Sequence, residues 1–192
     1  MNNMIIRSYL LLLILVLVAE KGLPQGVEGS RLTEVSTDKE VVLGSLAGTN
    51  GMVLIFVGSS CPYVSYYQGR MKRLIKTYES KGISFVLINT SEMSIEKMKG
   101  HKNELGLGVS YLADKNQQLL NSLGASKIPE AFLLMRKNKS LGVVYHGAID
   151  SNPQVADDVK ENYLEDAIKH MLQGDPIPQT HQRAMGCIIR KK

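Results

Sequence analysis

Residues 51–67 read GMVLIFVGSSCPYVSYY, and the change of pattern inside them predicts the local fold. The residues at 52–57 are apolar without interruption, which is typical of a buried β-strand. A short turn of glycine and serines follows at 58–60. From Pro62 onward, apolar side chains recur every three or four residues, which predicts an amphipathic α-helix. These recurring positions are Val64, Tyr67, Met71, Leu74, Ile75 and Tyr78.

Cys61 lies at the junction between this predicted strand and this predicted helix. Pro62 suits the first helical position, because that position needs no backbone N–H donor. Cys61 is therefore expected just before a helix N-terminus, where unpaired N–H groups and the helix dipole stabilise an anion. A thiolate is favoured at such a place, so Cys61 is the candidate nucleophile. A free cysteine is also often a small buried core residue, and this alternative stays open.

The rest of the chain alternates predicted strands with predicted helices. Further strands are predicted at 40–43, 83–89, 109–112, 131–135 and 141–149. Helices are predicted at 62–80, 91–105, 116–123 and 159–172. This alternation predicts an α/β fold with helices on both faces of the sheet, and the last two strands are close enough to form a hairpin.

The composition narrows the classes of function. The chain has 192 residues and a net charge of +5, and this length is enough for one domain with a full core. Basic residues are spread along the chain, and the only tight cluster is 190–192, so a solvated surface is favoured over a nucleic-acid interface. Two cysteines are too few for a disulfide framework. The histidines, which lack the spacing of metal ligands, are His101, His146, His170 and His181.

The N-terminal segment 1–19 has the layout of a secretory signal or an N-terminal anchor. Arg7 precedes an apolar run at 10–18, and this run is shorter than the roughly 20 residues that span a bilayer. We therefore expect an exported protein, periplasmic or otherwise extracytoplasmic, whose segment is either cleaved or kept as an anchor. Three further segments are predicted: a linker at 20–38, a folded domain at 39–175 and a C-terminal tail at 176–192 that carries Cys187.

Three short motifs give the chain a resemblance to a known family. The motifs are CPYV at 61–64, IPEAFLL at 128–134 and MGCIIRKK at 185–192. With the strand, turn and helix around Cys61, they resemble the peroxiredoxin-like redoxins of the thioredoxin-like superfamily, the alkyl hydroperoxide reductase/thiol-specific antioxidant group. The resemblance runs from about residue 40 to the C-terminus. It implies a thioredoxin-like fold, in which a central mixed β-sheet is flanked by helices on both faces.

The resemblance also implies which residues form the site. Cys61 would be the reactive thiol, and Cys187 would be a resolving cysteine that attacks the modified Cys61; a tail packed on the domain, with Cys187 as a buried thiol, is the alternative. Pro129 would be a cis proline facing Cys61, leaving the backbone of the preceding residue free to pair with an extended substrate, although trans is the default for X–Pro bonds. Pro62 and Tyr63 would face the substrate beside Cys61.

Two departures from the family pattern bear on the activity. Gly58 lies three residues before Cys61, so no C-x-x-C disulfide can form within that turn. Peroxiredoxins carry Thr or Ser at this same position and Pro four residues further upstream, where this chain has Gly58 and Leu54. Efficient binding and polarisation of a peroxide are therefore not expected.

The expected function is thiol–disulfide exchange or slow peroxide reduction. The expected partners are an external dithiol reductant or a disulfide-bearing protein, with a peroxide as a further candidate. No organic cofactor, metal or nucleic acid is expected. The alternatives are a redox-inactive binding protein on the same scaffold, because fold does not fix function, or a metal carrier that uses Cys61.

Overall fold

The computed structural model describes residues 26–192. The predicted signal or anchor at 1–19 and the first part of the predicted linker lie outside the described residues. Within 26–192, each helix is too short or too polar to cross a membrane.

The described residues form a mixed α/β structure. Its strands are β1 (Arg31–Glu34), β2 (Lys39–Val42), β3 (Gly51–Phe56), β4 (Ile83–Asn89), β5 (Ser110–Ala113), β6 (Lys127–Ile128), β7 (Glu130–Lys137), β8 (Ser140–Gly147), β9 (His181–Gln182) and β10 (Cys187–Ile188). Its α-helices are α1 (Pro62–Tyr78), α2 (Ile95–Leu105), α3 (Gln118–Leu123) and α4 (Tyr163–Gln173). Short 3₁₀ turns lie at Val27–Gly29, Leu43–Leu46, Glu79–Lys81 and Ala156–Asp158.

Eight strands form one mixed sheet in the order β2-β1-β5-β4-β3-β7-β8-β9. β3, β4 and β5 run parallel, as βαβ crossovers through α1 and α2 require, while β7 pairs with β3 in the antiparallel sense. β7 and β8 form the predicted hairpin. The predicted α/β class and the central mixed sheet are therefore confirmed.

The alternation of side chains along β3 divides the core into two layers. Val53, Ile55 and Val57 join one buried cluster together with α1, α2 and α4. Met52, Leu54 and Phe56 point to the other face, where they join a second buried cluster with α3. All of β3 is buried because helices cover both faces, which explains its uninterrupted apolar sequence.

Both ends of the described chain differ from the predicted segments. Residues 31–34, expected in a linker, form β1, which pairs with β2 and β5 and so belongs to the sheet. The predicted tail also packs on the domain, because β9 extends the sheet beside β8 and β10 pairs with β6. The linker prediction is wrong for 31–34 because a strand of four residues with one aliphatic side chain, Leu32, carries little apolar signal.

A buried ion pair fixes α1 against the segment that follows β8. Asp150 accepts hydrogen bonds from Tyr67 Oη at 3.0 Å and from Arg70 Nη1 at 2.7 Å. The Arg70 guanidinium also lies 3.9 Å from the centre of the Tyr67 ring. Burial, and then the neighbouring Asp150 carboxylate, raise the pKa of Tyr67, so this phenol remains a hydrogen-bond donor. The cluster therefore fixes α1, the helix that begins directly after Cys61.

Candidate active site

Cys61 is the N-cap residue of α1, with φ −103° and ψ 112°, and Pro62 occupies the first helical turn. The predicted position at the strand-to-helix junction is therefore confirmed. The Cys61 side chain is 3% exposed and belongs to the core cluster shared with α1. It combines the buried surroundings of a structural cysteine with the helix-terminal position of a reactive one.

Cys61 forms a disulfide bond with Cys187, which lies 126 residues later in the chain. The Cα atoms of the two residues are 5.9 Å apart, within the roughly 4.4–6.8 Å that a disulfide requires. Cys187 is half-buried, whereas Cys61 is buried. Cys187 is therefore the more solvent-accessible residue of the pair.

Pro129 lies beside this disulfide. The Ile128–Pro129 peptide bond is cis, so the expected geometry is confirmed. The carbonyl oxygen of Ile128 is 3.1 Å from Cys61 Sγ. In the disulfide form the sulfur has no proton, so this is a close contact; after reduction, the Cys61 thiol can donate a hydrogen bond to the same carbonyl.

Glu130 holds the loop that precedes this proline. The buried Glu130 carboxylate accepts hydrogen bonds from the backbone N–H groups of Ser126 at 2.8 Å and Lys127 at 2.9 Å. These hydrogen bonds pair the two N–H groups of the loop with a buried carboxylate. The backbone oxygen of Ser126 then accepts a hydrogen bond from Ile189 N at 2.9 Å, so the opposite side of this loop holds the C-terminal segment.

Pro62 and Tyr63 lie on the surface side of the same turn. Pro62 is exposed, and Tyr63 is half-buried with its ring 5.9 Å from that of Tyr66 in an edge-to-face arrangement. A C-x-x-C motif that begins at Cys61 would need its second cysteine at position 64. The residue there is Val64, which is 1% exposed. An apolar core side chain therefore occupies the position of the second cysteine.

A cleft of about 370 Å³ opens next to Ile128, on the side of the turn that precedes Cys61. Its lining is mostly small and polar and includes Gly58, Ser59, Asn89, Ser91, Met93 and Lys97. Leu54 stands where peroxiredoxins have proline. It packs in the core cluster on the face of the sheet opposite to that of Cys61.

Gln117 holds the C-terminal segment that carries Cys187, although its sequence context offers no reason to select it. Its side chain is 3% exposed, and its backbone lies in the left-handed region with φ 54°. Gln117 Nε2 donates to the carbonyl of Arg190 at 2.9 Å, and its Oε1 accepts from the backbone N–H of Lys192 at 2.9 Å. Both ends of one buried amide therefore bind the main chain of the C-terminal segment.

His146 and His181 face each other across β8 and β9. Their ring centres are 4.3 Å apart and their Nδ1 atoms are 3.3 Å apart, while Phe132 stacks on the other side of His146. Burial, and then the neighbouring His181, lower the pKa of His146, and Glu130 opposes this effect. Within residues 26–192, no group of three His, Cys, Asp or Glu side chains is arranged to hold a metal ion.

Acid should weaken the packing around His146. Because its pKa is lower in the folded than in the unfolded chain, stability is complete above the unfolded value of about 6.5 and falls as pH decreases below it. We expect the free energy of unfolding to fall between pH 7 and pH 5 by less in a His146→Gln variant than in the wild type. Urea unfolding at both pH values measures this. His101, whose pKa burial also lowers, is present in both proteins and cancels; equal decreases would contradict the prediction.

Known proteins share sequence similarity with this chain. The family model named Redoxin matches residues 20–168. Thiol-disulfide oxidoreductase ResA of Bacillus thuringiensis is 28% identical over 101 residues, which cover 53% of this chain and 57% of that protein. This chain therefore spans little more than half the length of that relative.

Two solved structures share the fold. A conserved protein of Geobacillus kaustophilus is 30% identical, covers 90% of this chain and 94% of its own, and superposes with a TM-score of 0.75. A secreted disulfide oxidoreductase of Mycobacterium tuberculosis is 14% identical, with coverage of 76% and 96% and a TM-score of 0.52. The predicted thioredoxin-like fold is confirmed.

Proposed function

Because this chain belongs to the redoxin family, we propose that it is a thiol–disulfide oxidoreductase in which Cys61 and Cys187 are the redox-active pair. The observation that carries the proposal is the disulfide itself, which joins the N-cap of α1 to the C-terminal segment beside the cis Pro129. The likeness to ResA, which is named a thiol-disulfide oxidoreductase, supports the same reaction class.

The two cysteines have different tasks in this reaction. In the reduced protein, the Cys61 thiolate attacks one sulfur of a partner disulfide, and the other partner sulfur leaves as a thiolate. The Cys187 thiolate then attacks Cys61 of the mixed disulfide and releases the second partner thiolate. Two electrons thus pass to the partner, and the Cys61–Cys187 disulfide forms.

An external dithiol returns the protein to its reduced state. Its first thiolate attacks the half-buried Cys187, and Cys61 leaves as a thiolate. The N-terminus of α1 stabilises this leaving thiolate through its N–H groups and dipole. A second thiolate of the dithiol then releases Cys187, so the reductant is oxidised to a disulfide and both protein thiols are restored.

Disulfides are proposed as the substrates in preference to peroxides. Gly58 and Leu54 replace the residues that hold a peroxide in peroxiredoxins, and Leu54 packs on the face of the sheet away from Cys61. We also propose that the protein is exported, since the N-terminal pattern is that of a signal or anchor and the M. tuberculosis protein is described as secreted. A disulfide-bonded state suits such a compartment.

The test compares two oxidants on the fully reduced wild-type protein. We expect a protein disulfide to oxidise it faster than hydrogen peroxide at the same concentration, with peptide mapping showing a Cys61–Cys187 linkage after both. Loss of free thiols with time gives the two rates. Faster oxidation by peroxide would favour a peroxidase instead, and inert thiols with both oxidants would leave a redox-inactive scaffold.

A further inference from the structure

Residues 184–192 lie extended in a groove next to the disulfide, and we call this the tail groove. Its walls are β6, the preceding Ser126 and the side chain of Gln117. β10 pairs with β6 in the antiparallel sense, with Cys187 opposite Ile128 and Ile188 opposite Lys127. The C-terminal segment thus forms an added strand beside the cis proline, as a bound peptide would.

The main chain of the segment is held in a way that does not depend on its sequence. Beyond the β6 pairing, Ser126 O accepts from Ile189 N, and Gln117 bonds both the carbonyl of Arg190 and the N–H of Lys192. Each of these contacts is made to a backbone atom, which any residue except proline at a donor position supplies. The groove can therefore hold an extended segment of another protein.

The side chains of the segment show which residues the groove selects. A Cβ atom at Gly186 would collide with the carbonyl of Ile128, so glycine is required directly before the cysteine. Ile189 is 6% exposed and packs in the core cluster that contains α3, whereas Ile188 is 75% exposed. The groove therefore selects the residue directly before the cysteine and the residue two positions after it. It tolerates any side chain directly after the cysteine.

Disulfide geometry places any partner cysteine in this same groove. A cysteine bonded to Cys61 must have its Cα within roughly 4.4–6.8 Å of that of Cys61, as Cys187 does at 5.9 Å. The Cys61 side chain is otherwise buried, so the approach to its sulfur is the place where Cys187 now lies. The neighbours of a partner cysteine then meet Ile128, Ser126 and Gln117.

We propose that the reduced protein binds, in the tail groove, an extended cysteine-bearing segment of its partner that has glycine directly before the cysteine and an aliphatic residue two positions after it. The partner segment and the protein's own C-terminal segment exchange places, and each is held covalently only while its cysteine is bonded to Cys61. This inference rests on the proposed thiol–disulfide exchange and specifies its substrate class.

Peptides with the sequence of the C-terminal segment test the proposal in trans. The protein is the full chain with Cys187→Ser, so that Cys61 is the only thiol. The probe is the peptide AMGCIIRKK, whose cysteine carries a thionitrobenzoate group through a disulfide. The Cys61 thiolate attacks the peptide cysteine sulfur, and the coloured thionitrobenzoate thiolate leaves, so its absorbance gives the rate.

Three altered peptides separate the selective positions from the tolerant one. Replacing the glycine by alanine (AMACIIRKK) should slow the reaction at least roughly tenfold, because its Cβ collides with the Ile128 carbonyl. Replacing the second isoleucine by aspartate (AMGCIDRKK) should slow it roughly tenfold or more, since the matching Ile189 is buried. The matched control AMGCDIRKK has the same charge change at the exposed position and should react at nearly the unaltered rate.

A small disulfide separates failure of this inference from failure of the proposed function. If Cys61 reacts with 5,5′-dithiobis(2-nitrobenzoate) but all four peptides react at one rate, the groove does not select partners and only the inference is overturned. If Cys61 reacts with neither the reagent nor the peptides, the proposed exchange activity fails as well. In the reduced wild-type chain, the peptide adducts that peptide mapping locates on Cys61 should form in the same rank order, which keeps the test valid if the variant is unstable.

Discussion

A Cys61→Ser variant should reduce no protein disulfide above the uncatalysed rate. Cys61 is the thiol that attacks the partner in the proposed cycle, and a serine hydroxyl cannot replace it at neutral pH. Removing a covalent nucleophile typically lowers turnover roughly a thousandfold or more. The assay follows reduction of a protein disulfide by dithiothreitol with catalytic amounts of the wild type or the variant.

A Cys187→Ser variant serves as the matched control, because it keeps Cys61 and loses only the resolving thiol. It should complete the attack on the partner disulfide and then stall as a mixed disulfide, which intact mass detects as a covalent adduct. Excess dithiothreitol should release this adduct slowly. Equal turnover by the wild type and by Cys61→Ser would show that Cys187 alone performs the exchange, and it would refute the assigned roles.

Reduction of the Cys61–Cys187 bond should cost the folded protein about 4–5 kcal/mol in its free energy of unfolding. The bond closes a loop of 126 residues, and cross-linking a loop of this length restricts the unfolded chain by about that amount. Urea unfolding of the oxidised and the reduced wild type measures the difference. Both core clusters are built almost entirely from residues other than the two cysteines, so the reduced chain should still fold.

The Cys187→Ser variant again gives the comparison for this measurement. Its free energy of unfolding should match that of the reduced wild type and should not respond to dithiothreitol. A reduced protein as stable as the oxidised one would mean that the unfolded chain is already compact around the two cysteines, or that the bond strains the native state.

Sequence predicts best those elements whose start, end and burial are all indicated by neighbouring residues. The strand at 83–89 has the predicted bounds, because a run rich in aliphatic and aromatic residues and buried on both faces leaves little ambiguity. The helix start at Pro62 is equally clear, since the proline suits a first helical position and the apolar spacing typical of a helix begins directly after it. In the site, the same local features placed Cys61 at its N-cap.

The parts that sequence reasoning missed depend on contacts between distant segments. β9 and β10 contain two residues each, and they are strands only because β8 and β6 offer free edges to them. Gln117 has an ordinary sequence context, and its importance arises when the last residues return to it from 73 positions away. Gly186 could have been singled out, because a glycine directly before the cysteine of an extended strand often marks a close backbone approach.

The disulfide between the start of α1 and the C-terminal segment has a mechanical consequence. In the oxidised state, residues 61–187 form a covalently closed ring, and the strands β1, β2 and β3 lie in the arm that precedes it. A pulling force applied on either side of the ring would then pass through the sulfur–sulfur bond, and the roughly 400 Å of contour length between Cys61 and Cys187 would bear no load. After reduction the same force would pass through the whole domain. The redox state of two sulfur atoms thus decides whether force can extend the chain between Cys61 and Cys187 or only the arms outside that ring.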